Sequence, residues 1–195
     1  MAAVLGNGLE LNVFNYRDTT PLSAAQVDDE PYGGGPGMVL RVDVVSAAFD
    51  EVYGGVPEHR VVALTPAGRL LDQELVEELA TEPALTLLSA RFEGFDQRIL
   101  DHLSTDTVSI GPYVLSGGEI PAMALVDAVA RRLPGALTEG SGEVESFSIA
   151  LNGGLEYPHY TRPADFRGWR VPEVLLSGDH GRIANWRQER IRSVA

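Results

Sequence analysis

Apolar residues recur along this chain at two spacings, one typical of buried strands and the other typical of amphipathic helices. Because short strand-like runs alternate with helix-like segments, the pattern predicts an α/β domain. The predicted strands are 59–64, which stops at Thr65-Pro66, then 85–88, an extended stretch at 108–115, and 171–176. The predicted helices are 41–53, 72–80 with Asp72 as N-cap, 95–103 with Ile99, His102 and Leu103 on one face, 122–133, and an arginine-rich 179–194.

Cysteine and lysine are both absent from the 195 residues, and this absence excludes several kinds of site. Without cysteine the chain has no disulfide, thiol nucleophile or zinc-thiolate site. Without lysine it has no phosphate-binding loop of the Walker A type, no Schiff base and no Ser-Lys dyad. No apolar run reaches the roughly 18 residues of a membrane span and no secretory signal is recognisable, so we expect a cytoplasmic protein outside the membrane.

Negative charge is distributed unevenly along the chain, whose net charge is −13. Residues 1–150 contain 8 arginines and 23 acidic residues, whereas residues 151–195 contain 7 arginines and 5 acidic residues. An acidic surface disfavours nucleic acid, because contacts with phosphate need basic groups. The C-terminal segment is therefore the predicted place for a polyanion.

Two glycine-rich stretches are candidates for ligand-binding loops. Tyr32–Met38 contains four glycines and is interpreted either as a tight surface loop or as a loop whose backbone approaches a ligand. Ser109–Met123 places Gly117-Gly118 between a predicted strand and a predicted helix, a context that suits a small ligand at a helix N-terminus. The four histidines lack the spacing of metal ligands, and no GxSxG motif is present, so neither a structural metal nor a serine hydrolase is predicted.

Six longer motifs follow one another in a fixed order and cover roughly residues 5–190. They are PYGGGPGM (31–38), LTPAGRLLDQ (64–73), ARFEGFDQRI (90–99), SIGPYVLSGGEIPAM (109–123), YPHYTRP (157–163) and VPEVLLSGDH (171–180). A single motif of this kind is weak, but the ordered set is specific. It resembles the bacterial tRNA (guanine-N1)-methyltransferases, the TrmD branch of the knotted SPOUT methyltransferases.

This resemblance implies a SPOUT-type α/β methyltransferase domain with a deep C-terminal trefoil knot, an obligate homodimer, and S-adenosylmethionine bound in the knot. We therefore expect a catalytic domain at 1–137, a flexible interdomain linker at 138–156, and an arginine-rich C-terminal tail at 157–195. Against the family pattern, the first strand and the C-terminal helical domain are expected to be missing.

The resemblance also implies that three loops enclose the cofactor, with backbone groups reading its adenine and ribose and Glu93 near its methionine end. The residues expected to contact S-adenosylmethionine are Leu64, Thr65, Pro66, Ala90, Phe92, Glu93, Gly94, Ser109, Ile110, Gly111, Tyr113, Leu115, Gly117, Gly118 and Pro121. The residues expected to contact tRNA are Tyr32, Gly33, Gly34, Gly35, Pro36, Gly37, His159 and Arg162.

The implied reaction methylates N1 of the guanosine at position 37 of tRNA, next to the anticodon. Neutral guanine is a poor nucleophile at N1, so a base must take its proton, and a cation should stabilise charge on its carbonyl oxygen. The matching positions are Glu145, where the family has aspartate, and Arg131 at a predicted helix end. The segment after Phe147 is longer than in the family, and Glu143 is a second candidate for the base.

Two alternatives stay open beside the active methyltransferase. One is a non-catalytic RNA- or cofactor-binding dimer of the same fold, which the altered base would suit. The other is methylation of a different RNA. The expected partners are tRNA and a second copy of the chain. Mg²⁺ is expected to assist the reaction, as in the family, although the sequence assigns it no ligand.

Overall fold

The computed structural model describes residues 9–137 and 144–193, and the chain divides into two compact units, 1–136 and 137–195. The first unit contains a parallel sheet with helices on both faces, as the alternating pattern predicts. Its elements are 3₁₀ turns at Tyr16–Asp18 and Ser23–Ala25, β1 (Asp28–Asp29), β2 (Val39–Leu40), α1 (Val42–Tyr53), β3 (Arg60–Leu70), α2 (Gln73–Leu79), β4 (Leu85–Ser89), α3 (Gln97–His102), β5 (Asp106–Ser109) and α4 (Glu119–Ala130).

The sheet of the first unit has the strand order β4-β3-β5, and both pairings are parallel. Successive side chains of a strand point to opposite faces of the sheet, so β3 supplies both layers of the core. Val61 and Ala63 pack with α1 and α3 on one face, and Val62 and Leu64 pack with α2 and α4 on the other. These residues are completely or almost completely buried. The predicted α/β class is therefore confirmed.

Strand β3 continues beyond the predicted stop at Thr65-Pro66 because the chain leaves the sheet there and then returns to it. The pairing with β5 shifts register between Leu64 and Arg69. The missing N–H group of Pro66 costs no ladder bond in such a bulge. Gly68 closes the bulge against the backbone of β5, where an added Cβ atom would lie 2.5 Å from the carbonyl carbon of Thr107.

Two predicted extended segments are wrong, and both errors have local causes. The stretch at 108–115 leaves the sheet after Ser109, whose buried hydroxyl donates to the carbonyl of Gly111 at 3.0 Å and turns the chain. The run at 171–176 contains a one-turn helix, α5 (Glu173–Leu176), preceded by Pro172. An apolar run this short fits a strand or a buried helical turn equally well.

The predicted helices are present, with shifted ends in some cases. Helix α2 begins after Asp72, whose carboxylate accepts the Leu75 N–H at 2.9 Å, which confirms the predicted N-cap. Helix α4 begins earlier than predicted, because a proline in the first turn sacrifices no helical hydrogen bond. In α3, Ile99 is fully buried, whereas His102, one turn later on the same face, is exposed.

The second unit is small and is built around Trp186 and Leu151, both of which are buried. Its described elements are a 3₁₀ turn at Ile149–Leu151, β6 (Asp165–Phe166), β7 (Trp169–Arg170), α5, and α6 (His180–Gln188), which Asp179 caps. A backbone bridge between Leu155 and Arg192 ties its two ends together, with the Leu155 N–H donating to the Arg192 carbonyl at 2.7 Å. Residues 138–143 of the predicted linker at 138–156, among them Glu143, lie outside the described residues. Across both described ranges, no helix has the length and apolar character to cross a bilayer.

Arg60 and Asp106 form a two-point ion pair at the start of β3 and β5. The Nε and Nη2 atoms of Arg60 each donate to the Asp106 carboxylate at 2.8 Å, and Nη1 lies 2.7 Å from Glu78 Oε1. The hydrogen bonds from Arg60 hold the pKa of Asp106 below its usual range. A carboxyl whose pKa is lower in the folded state contributes stability at neutral pH, and that contribution is lost as the pH falls below about 4.

We therefore expect Asp106→Asn to lower the free energy of unfolding at pH 7 by about 1–2 kcal/mol, the usual size of a partly exposed charged hydrogen bond. Urea unfolding at pH 7 and pH 3 measures the effect, and the variant should lose less stability between the two pH values than the wild type loses. Asp50→Asn, at an exposed carboxylate in the same unit, is the matched control and should leave the acid dependence unchanged. Equal acid dependence of Asp106→Asn and wild type would show that the pair does not act in this way.

Candidate functional site

The carboxyl ends of the three parallel strands lie next to one another at one edge of the sheet. Leu64 of β3 is in register with Ser89 of β4 and with Val108 of β5, the residue before Ser109. The chain leaves the strands at these points into the segments 65–68, 90–94 and 110–118. In open α/β sheets, ligands bind at the carboxyl ends of the strands. The structure thus brings the three loops predicted to enclose the cofactor to a single edge.

The second and third loops are joined through their backbones. The Gly118 N–H donates to the Ala90 carbonyl at 2.8 Å, and Arg91 forms an antiparallel bridge with Gly117. Gly118 packs so closely on β4 that an added Cβ atom would lie 2.7 Å from the Ser89 Cα atom. Only glycine fits at this position, because the Ser89 backbone that it contacts cannot rotate away as a flexible side chain could.

An ion pair spans the same junction. Arg91 Nε donates to Glu119 Oε1 at 2.7 Å, so a residue of the second loop is tied to the first turn of α4. A carboxylate is also favoured in the first turn of a helix by the helix dipole. Sequence reasoning missed this pair, because the 28 positions that separate the two residues hide their proximity.

The third loop folds back on itself beyond Ser109. Gly111 is buried, its N–H donates to Ser109 Oγ at 3.3 Å, and the ring of Tyr113 lies against it. The Tyr113 hydroxyl donates to the carbonyl of Ile110 at 3.1 Å. This arrangement exposes the aromatic ring of Tyr113 and half-buries Leu115, which together supply an apolar lining.

The second loop is a tight turn that meets the glycine-rich stretch at Tyr32–Met38. The Gly94 N–H donates to the Arg91 carbonyl at 3.0 Å. Gly94 and Phe92 both have positive φ, which glycine tolerates without strain and which is uncommon for phenylalanine. The Glu93 N–H donates to the Met38 carbonyl at 3.0 Å. A Cβ atom on Gly37 would lie 2.8 Å from the carboxyl carbon of Glu93. The loop expected to contact tRNA therefore touches the loop expected to contact the cofactor.

The glycines at the tip of the glycine-rich stretch make no close contacts, whereas Gly37 near its end does. Tyr32 through Pro36 are exposed, and Cβ atoms on Gly33, Gly34 and Gly35 would meet nothing within 4 Å. Within the part of the chain that the structure describes, this tip is a surface loop. The surface-loop interpretation fits residues 32–36, and the close approach of Gly37 is to the Glu93 side chain.

The first loop and its surroundings complete the edge. Leu64 is buried, Thr65 is half-buried and Pro66 is exposed, and Pro121 lies half-buried in the first turn of α4.

Sequence reasoning missed Gly68, although a glycine inside a strand pattern signals a bulge. It also missed Tyr16, which receives a backbone hydrogen bond from Ser89 and whose pKa burial raises to about 12, so its hydroxyl stays protonated at neutral pH.

The chemistry of this edge fits S-adenosylmethionine, a cationic sulfonium attached to an adenosine. The loops offer backbone donors and acceptors together with the apolar side chains of Leu64, Ile110 and Leu115. Glu93 supplies a carboxylate that complements a sulfonium. Arg91 would repel that cation, but Glu119 neutralises it. Among the described residues, no cluster of three or more histidine or acidic side chains could hold a metal ion.

The two predicted catalytic residues belong to different units. Arg131 is the exposed C-cap of α4, where its N–H donates to the Asp127 carbonyl at 3.2 Å and its charge suits the negative end of the helix dipole. Glu145 is half-buried in the second unit, and its carbonyl accepts the Ser148 N–H at 3.0 Å. The next two residues anchor this turn, since Ser146 Oγ accepts the Glu156 N–H at 3.0 Å and the Phe147 N–H donates to Gly154 at 2.7 Å.

The two residues of the second unit that are expected to contact tRNA are exposed. His159 Nε2 lies 2.9 Å from Glu156 Oε1, and its ring is 5.0 Å from that of Tyr157. The Arg187 guanidinium lies over the Tyr157 ring, 4.9 Å from the ring centre. Arg162 is exposed in the segment that follows.

Comparison with known proteins connects these features to one family. The family model described as tRNA (guanine-1)-methyltransferase TrmD matches residues 2–194. A tRNA (guanine-N(1)-)-methyltransferase of Exiguobacterium sibiricum is 52% identical over 184 residues, which cover 93% of this chain and 73% of the relative. Relatives of the same description from Rhodospirillum rubrum and Brevibacillus brevis are 54% and 49% identical, and the matches cover 86% and 92% of this chain and 69% and 72% of the relatives.

Proposed function

This chain belongs to the TrmD family of tRNA (guanine-N1)-methyltransferases, and we propose that it methylates N1 of the guanosine at position 37 of tRNA with S-adenosylmethionine as methyl donor. One structural observation carries the proposal. The three loops expected to hold the cofactor meet at the carboxyl edge of the sheet, and the hydrogen bond from Gly118 to Ala90 joins two of them. The acidic and apolar lining of that edge supports the same cofactor.

We assign the binding of S-adenosylmethionine to the backbone of the three loops, with Glu93 nearest to its methionine end. When bound, it supplies an electrophilic methyl group on a sulfonium centre, from which a neutral thioether departs. Gly111, Gly117 and Gly118 allow close packing against Tyr113, Glu119 and Ser89, and the Arg91–Glu119 pair holds the second and third loops in place. The residues of this edge therefore act by binding and orientation.

Proton transfer is assigned to the second unit. Glu145 takes the proton from N1 of guanine, which frees the nitrogen lone pair to form the new bond to the methyl carbon. Arg131 stabilises the negative charge that develops on the guanine carbonyl oxygen as N1 loses its proton. A residue that removes a proton from guanine or stabilises its charge must be held accurately, since a misplacement of about 1 Å can reduce the rate about 100-fold. The backbone bonds around Ser146 and Phe147 supply that anchoring on the Glu145 side.

The finer features of the architecture follow from family membership as proposals. We propose that 1–137 form a SPOUT catalytic domain with a trefoil knot, that 138–156 form the linker, and that the arginine-rich 157–195 contact tRNA. We also propose a homodimer located in the cytoplasm, and Mg²⁺ as an assistant of the reaction with unassigned ligands. The net positive charge of residues 151–195 beside an otherwise acidic chain supports the assignment of RNA binding to this segment.

A transfer assay tests the proposed function. The full chain is incubated with S-adenosylmethionine carrying a labelled methyl group and with an unmodified tRNA transcript that has guanosine at position 37. We expect one methyl group per tRNA, recovered as 1-methylguanosine by mass spectrometry of the nucleosides. A transcript with adenosine at position 37 is the control and should accept none, and a reaction with EDTA measures the dependence on Mg²⁺. Absence of transfer under conditions in which a family member is active would refute the proposal.

The second candidate function is a dimer of the same fold that binds RNA or cofactor without catalysis. The observation in its favour is glutamate instead of aspartate at position 145, in a segment that is longer than in the family. Calorimetry separates the two, because binding of S-adenosylmethionine and tRNA without transfer to any guanosine would support this candidate. Transfer to a guanosine elsewhere would instead identify a different RNA site.

A further inference from the structure

The strands β6 and β7 form a hairpin on the surface of the second unit. Asp165 pairs with Arg170 and Phe166 pairs with Trp169, so the turn consists of only Arg167 and Gly168. Both turn residues have positive φ, 57° and 84°, as a type I′ turn requires. Arg170 Nε also donates to Asp165 at 2.9 Å, and the Gly168 N–H donates to the same carboxylate at 2.9 Å. This local network gives the short hairpin a defined shape.

The hairpin exposes two aromatic rings that the core of its unit does not use. Trp169 is 73% exposed and Phe166 is 47% exposed, whereas Trp186 in the same unit is buried. The two rings meet edge to face, with centres 5.8 Å apart, and the Arg167 guanidinium lies 5.1 Å from the Phe166 ring centre. An edge-to-face pair leaves ring faces open, which a stacked pair would cover. A contiguous exposed apolar surface that is rimmed by polar groups is typical of an interaction site, and here the two rings lie beside the charged residues of the same hairpin.

We propose that this hairpin, Asp165–Arg170, binds unpaired bases of RNA, with Trp169 as the stacking surface and Arg167 beside it. Proteins recognise single-stranded RNA by stacking bases on aromatic rings and arginine guanidinium planes. The surrounding charge agrees, since residues 157–193 contain seven arginines and four acidic residues in a chain with a net charge of −13. The identity of the RNA as the anticodon loop of tRNA rests on the proposed function.

Binding measurements on the full chain test this inference. The probe is an anticodon stem-loop with guanosine after the anticodon, and a fully paired RNA duplex with the same number of nucleotides is the reference. We expect Trp169→Ala to raise the Kd for the stem-loop about tenfold and Trp169→Phe to raise it much less, since phenylalanine retains a stacking face. Ile149→Ala, which removes another exposed apolar side chain of the same unit but outside residues 157–195, is the matched control and should leave the Kd unchanged.

The chain offers a second readout, because it contains only two tryptophans, one exposed and one buried. A base stacked on Trp169 should quench its fluorescence on addition of the stem-loop. Trp169→Phe should remove this quenching and still bind the RNA, a combination that a purely structural role of Trp169 would not produce. In turnover assays Trp169→Ala should raise the KM for tRNA with little change in kcat, and the Kd for S-adenosylmethionine should remain that of the wild type.

The outcomes separate this inference from the proposed function. Unchanged RNA affinity of Trp169→Ala, in a chain whose wild type methylates tRNA, overturns the inference and leaves the function standing. RNA binding that depends on Trp169 without any methyl transfer supports the inference and refutes the function. If Trp169→Ala instead shifts the monomer–dimer equilibrium in sedimentation experiments and leaves RNA affinity unchanged, the hairpin is a protein interface and the inference is wrong. Equal affinity for the loop and for the paired RNA also contradicts it.

Discussion

Glu145→Gln is expected to reduce methyl transfer by about 10²–10⁴-fold, the usual contribution of a general base. Glutamine has nearly the shape of glutamate, so the turn closed by the bond from Ser148 to the Glu145 carbonyl should persist. The amide cannot accept the proton from N1 of guanine, and the nucleophile would remain protonated. Single-turnover kinetics with unmodified tRNA measure the chemical step, and calorimetry measures the affinity for S-adenosylmethionine, which should change little.

Three further variants sharpen this test. Glu189→Gln removes an exposed carboxylate in the same unit and should retain full activity, which controls for the loss of one negative charge. Glu145→Asp shortens the side chain by one methylene and tests whether the backbone places the carboxylate correctly only when the residue is glutamate. Glu143→Gln examines the second candidate base, which should prove dispensable. Equal losses of turnover and of cofactor affinity in Glu145→Gln would contradict its assignment as the base.

Gly118→Ala is expected to weaken S-adenosylmethionine binding by at least tenfold and to lower the thermal stability. An alanine Cβ atom would lie 2.7 Å from the Ser89 Cα atom and 2.9 Å from its Cβ atom, which is much closer than real Cβ contacts. Relief of this overlap must separate the loop from β4 and break the hydrogen bond between Gly118 and Ala90. Such a bond contributes about 1 kcal/mol, and the steric strain adds about 1–3 kcal/mol.

Another glycine provides the control for this substitution. A Cβ atom on Gly181 in α6 would meet its nearest neighbour at 3.5 Å, so Gly181→Ala should be neutral or stabilise the protein by up to about 1 kcal/mol and should leave the affinity for S-adenosylmethionine unchanged. Differential scanning calorimetry and isothermal titration with S-adenosylmethionine measure both effects. Wild-type affinity in Gly118→Ala would show that the packing on Ser89 does not shape the cofactor site.

Local sequence signals were sufficient for most of the secondary structure. The helix at 41–53 matches α1 because its apolar positions recur at helical spacing and Gly54 follows in the left-handed conformation that ends a helix. Asp72 was recognisable as an N-cap because the bond it forms lies within one turn. The errors at 108–115 and 171–176 concern runs too short for periodicity to separate extended from helical or turn conformation.

The family and the residues of the candidate site were also within reach of the sequence, because the six motifs keep their order and their letters. The sequence alone therefore establishes the α/β class and the family, and it predicts which segments enclose a cofactor. The packing of Gly118 on Ser89, the bulge that Gly68 closes against β5 and the contact of Gly37 with Glu93 are visible only in the folded chain. The same is true of the exposure of Trp169 and the burial of Trp186. These contacts join segments that are distant in the sequence, and only the paired sheet or the packed second unit brings them together.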